Sequence, residues 1–304
     1  MSEIKLFRIN NDKAIEIPST AGGLEKSLQT VIEKNLDTML GIRFLRSEHS
    51  TGKVHGGRID TLGIDENNCP VIIEYKRAIN ENVINQGLFY LDWLLDHKAD
   101  FKLLVMETID PSVANDIDWT GPRLICIAAD FSKYDEHAVK QINRNIDLVR
   151  YRRFEDGLLA LELAHRNQSE IISSEQVVID QKHTKKSTDK PVIQWLKELD
   201  TPMRDLYESL RALLLALGDD VDEKQLKLYI AFRRIKNFAC IVFQKKSLMV
   251  YVKLNPDTVR LEDHFTRDVR QIGHWATGDL EITITDKESL AKAQPLLVRA
   301  YEES

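Results

Sequence analysis

The 304-residue sequence has few cysteines, no long apolar run and no excess of positive charge, since 42 Lys and Arg stand against 48 Asp and Glu. Its three cysteines cannot all pair, and no C-x-x-C spacing indicates a zinc site, so we interpret them as reduced thiols. No run reaches membrane-spanning length, and the N-terminus has no apolar segment of signal-peptide length, so we expect a cytoplasmic protein with no membrane partner. The net charge of −6 gives no overall attraction to nucleic acid, so any such contact must come from local basic patches.

The composition, with 43% hydrophobic and 30% charged residues, is that of an ordinary soluble globular protein. A length of 304 residues favours two domains over one. Residues 166–191 are polar, rich in serine and lysine, and end in proline, which is typical of a linker. The sequence therefore predicts a domain over residues 1–165, a linker over 166–191 and a second domain over 192–304.

The first domain has a recognisable order of helix and strand patterns. A hairpin over residues 1–20, turning at Asn10-Asn11-Asp12, precedes a helix over 22–40. Then come, in order, three strands, a helix, two strands, a helix and a strand: residues 41–48, 56–64, 70–77, 82–97, 101–107, 123–129, 135–147 and 158–163. This order predicts an α/β layer architecture around a mixed sheet.

The second domain reads as α+β. One or two amphipathic helices are predicted over 192–216, followed by strands, a helix near 264–272, a further strand and a terminal helix. The strand patterns lie at residues 226–232, 238–243, 248–254 and 280–285.

Two acidic residues lie in neighbouring strands of the predicted meander. Residue 67, inside the turn signal Asp65 to Asn68, is equidistant from Asp60 and Glu74. In an antiparallel hairpin this spacing places the two carboxylates opposite each other, with Cβ atoms roughly 5 Å apart. Lys76 lies two residues beyond Glu74 and therefore shares its face.

Like charges that oppose each other destabilise a sheet, and burial in an apolar strand makes them costlier still. A divalent cation between the carboxylates would remove the repulsion, and Mg²⁺ accepts such ligands. A lysine beside them can orient an attacking water or help to deprotonate it. The pattern therefore indicates a metal-dependent hydrolytic site at Asp60, Glu74 and Lys76, although E-x-K alone is a common surface spacing.

The stretch from about Leu24 to Phe101 resembles the PD-(D/E)XK nuclease superfamily, in particular its NucS/RecB-like branch. Besides Asp60 and the E-x-K of Glu74 and Lys76, the following helix carries Q-x-x-x-Y at Gln86 and Tyr90. The superfamily's proline before the aspartate is absent, because Ile59 stands there.

The resemblance implies a restriction-endonuclease-like core of helix, three-stranded meander, helix and strand. It also implies a glutamate on the first helix near the metal, for which Glu25 is favoured and Glu33 is the reserve. The expected activity is Mg²⁺- or Mn²⁺-dependent endonucleolytic hydrolysis of DNA, with Asp60, Glu74 and Glu25 as metal ligands, and with Gln86 and Tyr90 positioning Lys76 or a phosphate. A non-catalytic nucleic-acid-binding or complex-forming protein with this fold, and an RNA-processing nuclease, remain alternatives.

Several basic residues are candidates for DNA contacts. Arg58 and Arg77 flank the acidic pair and could reach a scissile-strand phosphate. Residues 224–253 hold eight lysines and arginines with interleaved aromatics and no acidic residue. This pattern fits phosphate and base contacts at Arg233, Arg234 and Lys236, and it equally fits a sheet with an ordinary basic solvent face and aromatics in the core. The second domain also resembles an uncharacterised module found behind nuclease-like domains in bacteria. The sequence leaves a homodimer open.

Overall fold

The computed structural model describes residues 4–20, 25–76, 83–168, 190–274 and 276–304. The chain divides into two compact units, Met1–Ser173 and Ser174–Ser304. Both combine helices with sheets, so the chain is a mixed α/β protein. Among the helices in the described ranges, none is long and apolar enough to cross a membrane.

The first unit begins with the predicted hairpin. Strands β1 (Leu6–Asn10) and β2 (Lys13–Ile17) pair antiparallel through a two-residue turn. The turn residues Asn11 and Asp12 both have positive φ, at 48° and 60°, which short polar side chains tolerate. The two-residue strand β3 (Ser19–Thr20) follows.

The helix predicted over residues 22–40 is two helices, and residues 22–24 lie outside the described part. Helix α1 (Glu25–Lys34) and helix α2 (Leu36–Leu40) are separated at Asn35, whose φ of −127° is not helical. Their buried apolar residues still follow helical spacing, at Leu28, Ile32, Leu36 and Leu40.

The three predicted strands form the expected antiparallel meander. They are β4 (Ile42–Ser50), β5 (Arg58–Asp65) and β6 (Pro70–Lys76), with a single helical turn, α3 (Gly52–His55), between the first two. Helix α4 (Val83–Asp96) follows where residues 82–97 predict one.

The strand predicted over residues 101–107 is wrong, because this stretch lies in helix α5 (Lys98–Thr108). Its buried side chains, Phe101, Leu104 and Val105, have the i, i+3, i+4 spacing of a helix, while Leu103 and Met106 are exposed. A short helix, α6 (Pro111–Asn115), follows.

The rest of the unit completes the sheet. It contains β7 (Arg123–Ala128), α7 (Lys133–Lys140), β8 (Asn145–Phe154) and β9 (Leu159–Asn167). Within the described residues the strand order is β3-β8-β7-β6-β5-β4, with β9 also pairing with β8, and β6, β7 and β8 run parallel. The helix predicted over 135–147 is wrong beyond Lys140, because a strand begins at Asn145. The arginines of that strand hide its apolar pattern.

The second unit packs helices on one face of an antiparallel sheet. Its elements are α8 (Val192–Glu198), α9 (Thr201–Leu215), β10 (Asp222–Gln225), β11 (Ile230–Arg233), β12 (Asn237–Phe243), β13 (Leu248–Val252), β14 (Thr266–Asp268), β15 (Leu280–Ile284) and α10 (Lys287–Glu302). Along the sheet the strands are ordered β10-β11-β12-β13-β15-β14 in the described part of the chain. The helix predicted near 264–272 is wrong, because Thr266–Asp268 pairs with β15.

Candidate functional site

The turn between β5 and β6 sets the register of the acidic pair. Asp65 Oδ1 accepts hydrogen bonds from the backbone N–H groups of Asn67 and Cys69, both at 2.9 Å, which fixes the turn. The paired residues run from Ile64 opposite Pro70 to Thr61 opposite Ile73. Continued by one residue, this register places Asp60 opposite Glu74, as the turn position predicts from the sequence.

Each carboxylate of this pair reaches the backbone of the other strand. The backbone N–H of Asp60 donates to Glu74 Oε1 at 3.2 Å, and the backbone N–H of Tyr75 donates to Asp60 Oδ2 at 3.0 Å. The two side chains therefore lie at one place on the sheet, held by reciprocal bonds across β5 and β6.

The electrostatics of the pair are unfavourable for two negative charges. Glu74 is fully buried, and in the described part of the chain its Oε2 has no hydrogen-bond partner. Burial, and then the charge of Asp60, raise the pKa of Glu74 to about 9, although the N–H of Asp60 and the charge of Lys76 act against this. Burial also raises the pKa of Asp60. The arrangement thus favours either a proton or a cation at Glu74.

Lys76 and Glu25 complete the group of side chains beside this pair. Glu25 opens α1, where a negative charge is favoured by the helix dipole. Its Oε1 lies 4.0 Å from Lys76 Nζ. The Lys76 side chain is 18% exposed and that of Glu25 is 38% exposed, so solvent reaches both. The charge of Glu25 also acts to raise the pKa values of Asp60 and Glu74.

The metal-binding roles of Asp60, Glu74 and Glu25 stay predictions. Among the described residues, no group of three or more His, Cys, Asp or Glu side chains is arranged to hold a metal ion. Glu25 lies beside Lys76, and its charge acts on both Asp60 and Glu74. The reserve candidate Glu33 is engaged elsewhere, because its Oε1 accepts from Gln29 Nε2 at 3.0 Å and from Thr61 Oγ1 at 2.6 Å.

Gln86 and Tyr90 act together on the start of β5. Gln86 Nε2 donates to Tyr90 Oη at 3.3 Å, and the backbone N–H of Arg58 donates to the same oxygen at 3.1 Å. A Cβ on Gly57 would lie 2.5 Å from the Tyr90 ring, so only glycine permits this approach. The pair therefore fixes the backbone two residues before Asp60. A role in positioning Lys76 or a phosphate stays a prediction.

Glu48 is a further acidic residue at the site, and sequence reasoning missed it. Ser47 pairs with Thr61 and His49 with Ile59, so Glu48 stands opposite Asp60 on the other side from Glu74. A register shift between Phe44 and Arg46 causes this alignment, and nothing in the sequence marks that shift. The carboxylate of Glu48 contacts Arg58 Nε at 2.8 Å and Lys26 Nζ at 2.7 Å.

The arginines predicted to contact DNA differ in their exposure to solvent. Arg58 is exposed beside the site, whereas Arg77 lies outside the described residues. The prediction for Arg233 is wrong, because its side chain is only 3% exposed and its Nε donates to Asp222 Oδ2 at 2.8 Å. A buried, paired guanidinium cannot reach a phosphate.

The neighbours of Arg233 are constrained less completely. Arg234 donates to Asp220 Oδ2 at 2.6 Å, and its guanidinium carbon lies 4.6 Å from the centre of the Tyr301 ring. Lys236 is half-buried, so its contact with DNA stays a prediction. The exposed lysines of this basic stretch are Lys227, Lys245 and Lys246.

Comparison with known proteins finds one relative along the whole chain and one domain model. A Haemophilus influenzae protein described as "Uncharacterized protein" is 30% identical over 307 residues, covering 99% of this chain and all of the relative. The model "Domain of unknown function (DUF5655)" matches residues 188–304.

A comparison of folds gives a weaker similarity. A chain from the "Structure of EndoMS-dsDNA2 complex" aligns with a TM-score of 0.25 and 17% sequence identity. The alignment covers 47% of this chain and 49% of the other, which is about half of that chain. A similarity this weak carries no argument about function.

Proposed function

We propose that this chain, which belongs to one family with the uncharacterized Haemophilus influenzae protein, is a metal-dependent nuclease that hydrolyses phosphodiester bonds in DNA. The observation that carries the proposal is the buried Glu74 Oε2, which has no hydrogen-bond partner among the described residues and belongs to a carboxyl group on which the charge of Asp60 acts. Burial of a carboxylate oxygen without a partner costs stability, so a ligand at this position explains the arrangement better than the needs of the fold do.

The residues present fit a small divalent cation. Mg²⁺ and Mn²⁺ prefer carboxylate oxygens and are commonly held by one or two carboxylates together with water and substrate oxygens. Asp60 and Glu74 would hold the ion, and Glu74 Oε2 would gain the partner that it lacks. When bound, the ion supplies a Lewis acid that neutralises charge developing on a phosphoryl group.

The other residues of the site would orient the attacking water and hold the metal-binding side chains in place. Lys76 Nζ orients the attacking water and balances the negative charge of the two carboxylates. Glu25, 4.0 Å from that ammonium group, keeps the lysine pointed at the site. Tyr90 and Gln86 keep the first residues of β5 in place, so Asp60 retains its position when a substrate strand binds.

A non-catalytic nucleic-acid-binding protein is the second candidate. The raised pKa of Glu74, about 9, favours it, because a proton alone would neutralise this carboxyl at pH 7 and remove the need for a metal ion. The two candidates differ in whether a divalent ion displaces that proton.

The test is cleavage by the purified full-length chain. Fluorescent single-stranded, duplex and branched DNA, and single-stranded RNA, are incubated with Mg²⁺, with Mn²⁺ or with EDTA. We expect DNA cleavage that requires the ion and is reduced to background in Glu74→Gln and Lys76→Ala. The exposed Glu107 gives the control, since Glu107→Gln removes the same charge outside the site and should cleave normally.

Calorimetric titration with Mg²⁺ separates the two candidates further. Heat and proton release from the wild type, both absent from Glu74→Gln, support a metal site. Nucleic-acid binding without cleavage and without ion uptake would establish the non-catalytic candidate. Cleavage of RNA without cleavage of DNA would show that the protein is a nuclease whose substrate is RNA.

A further inference from the structure

Glu48 joins two cationic side chains from different elements at the edge of the acidic site. Its Oε1 lies 2.7 Å from Lys26 Nζ on α1, and its Oε2 lies 2.8 Å from Arg58 Nε at the start of β5. Lys26 adjoins Glu25 in sequence, and Arg58 lies two residues before Asp60. The carboxylate therefore holds together one cation that neighbours Glu25 on α1 and one that lies close to Asp60 on β5.

The backbone of Glu48 is in a conformation that such a residue seldom adopts. Its φ is +52°, in the left-handed region that glycine and asparagine favour. Non-glycine residues in this region cluster at functional sites, where surrounding contacts enforce them. Here the two ion pairs hold the carboxylate of Glu48 against Lys26 and Arg58 in this conformation.

Both cations are accessible, and one is connected to the backbone of the site. The side chains of Lys26 and Arg58 are 60% and 68% exposed, so a ligand from solvent can reach them. Lys26 Nζ also donates to Gln29 Oε1 at 3.2 Å, and Gln29 Nε2 donates to the carbonyl oxygen of Asp60 at 2.8 Å. An anion bound at Lys26 is thereby linked to the strand that carries Asp60.

We propose that Lys26 and Arg58 form a phosphate-binding rim for nucleic acid, and that Glu48 occupies this rim until a backbone phosphodiester replaces it. A chain with a net charge of −6 must concentrate its cations where a polyanion binds. Arg58 lies two residues before Asp60, and Lys26 is linked to the carbonyl of that aspartate through Gln29. A phosphodiester has two non-bridging oxygens that share one negative charge, as the Glu48 carboxylate does, so it can take over both contacts. Glu48 is 30% exposed and can turn toward solvent when displaced.

This rim rests on the proposed function for the identity of its ligand, but its test needs no cleavage. Binding of fluorescein-labelled single-stranded and duplex 20-nucleotide DNA to the full chain is measured by anisotropy, without divalent ions, across a salt series. Glu48→Gln should bind about tenfold more tightly, because two exposed ion pairs no longer compete with the phosphate. Lys26→Ala and Arg58→Ala should each bind more weakly, and each should flatten the log–log salt slope by about one.

The matched control is Glu107→Gln, which removes the same charge from an exposed position on α5. We expect Glu48→Gln to bind DNA more tightly and Glu107→Gln to bind it as the wild type does. When Lys26 and Arg58 are both alanine, Glu48→Gln should give no gain in affinity. Equal affinity changes in the two glutamine variants would overturn the rim, since the effect would then be one of net charge. Thermal midpoints of every variant exclude misfolding as the cause. DNA binding that obeys these rules without cleavage in Mg²⁺ would refute the nuclease and leave the rim standing.

Discussion

Strand β5 carries an acidic group near each of its ends, and the protein treats the two differently. At one end, Asp65 and Asp147 are both buried, and Arg123 bridges them at 3.1 Å and 2.6 Å. Arg166 adds a contact to Asp147 at 2.8 Å. At the other end, Asp60 and Glu74 meet with no arginine between them in the described structure, and one oxygen of Glu74 has no hydrogen-bond partner.

The difference shows that this sheet can neutralise buried carboxylates with its own side chains. At the Asp65 end, arginines bonded to both carboxylates supply the counter-charge, which is the pattern of a structural network. At the Asp60 end, Lys76 supplies one positive charge for two carboxyl groups, so a proton or an ion from solution is needed to neutralise the pair. The incomplete counter-charge therefore distinguishes the candidate site better than the acidic residues themselves do.

Replacing Arg123 should leave the Asp65 end of β5 without its counter-charge, and we expect this change to have the largest effect on stability. Arg123→Met leaves Asp65 and part of Asp147 buried without a counter-charge, so we expect a loss of about 3–5 kcal/mol in the free energy of unfolding. Urea denaturation followed by circular dichroism measures it. Arg144→Met, at an exposed position just before β8, is the control and should change little. A loss below about 1 kcal/mol would show that the bridge is dispensable.

The pair of Asp60 and Glu74 should make the stability of the folded protein depend on pH. Glu74 has a pKa of about 9 in the folded state, well above its ordinary value of 4.5, so the folded protein holds this proton more tightly than the unfolded chain does. Stability of the metal-free protein should therefore fall as pH rises from about 5 to about 9, by at most about 1.4 kcal/mol per pH unit. Asp60, whose pKa is also raised, contributes with the same sign.

Glu74→Gln should flatten this profile, since glutamine keeps the shape and does not ionise. At pH 8 without divalent ions the variant should be more stable than the wild type, and near pH 5 the two should converge. Urea midpoints in EDTA at four pH values provide the measurement, with Glu107→Gln as the control of equal charge. A wild type whose stability is constant between pH 5 and 9 would mean that Glu74 is already compensated.

The sequence predicts this site through one local feature, the turn between β5 and β6. The turn signal at residues 65–68 fixes which residues oppose each other, and from that the pairing of Asp60 with Glu74 follows. The Q-x-x-x-Y spacing likewise places Gln86 and Tyr90 on one helix face. These features are local, so no knowledge of distant contacts is needed.

The features that sequence reasoning missed depend on contacts far along the chain. Glu48 reaches the site only through the register shift in β4. Arg150 is accommodated in the buried strand β8 because Asp130 and Glu162 neutralise it, at 2.6 Å and 3.0 Å. In the sequence, this arginine makes the buried strand look like an exposed segment. Arg233 is withdrawn from solvent by Asp222 in the same way. Charge in a sequence indicates exposure only until its partner is known.

An exposed ion pair gives the smallest effect and sets the scale for the two buried ends. Arg8 Nη2 on β1 lies 2.5 Å from Asp156 Oδ2, and both side chains are 52% exposed. Because water solvates both groups when the pair is broken, Arg8→Ala should lower the free energy of unfolding by less than about 1 kcal/mol. Salt should erase even this difference, since at 1 M the screening length is about 3 Å. The loss in Arg123→Met should persist in the same salt, because its carboxylates are buried. Urea denaturation curves of both variants at low and high salt measure this contrast. If Arg8→Ala lost as much free energy of unfolding as Arg123→Met, and lost it in high salt too, burial would not decide the strength of these ion pairs.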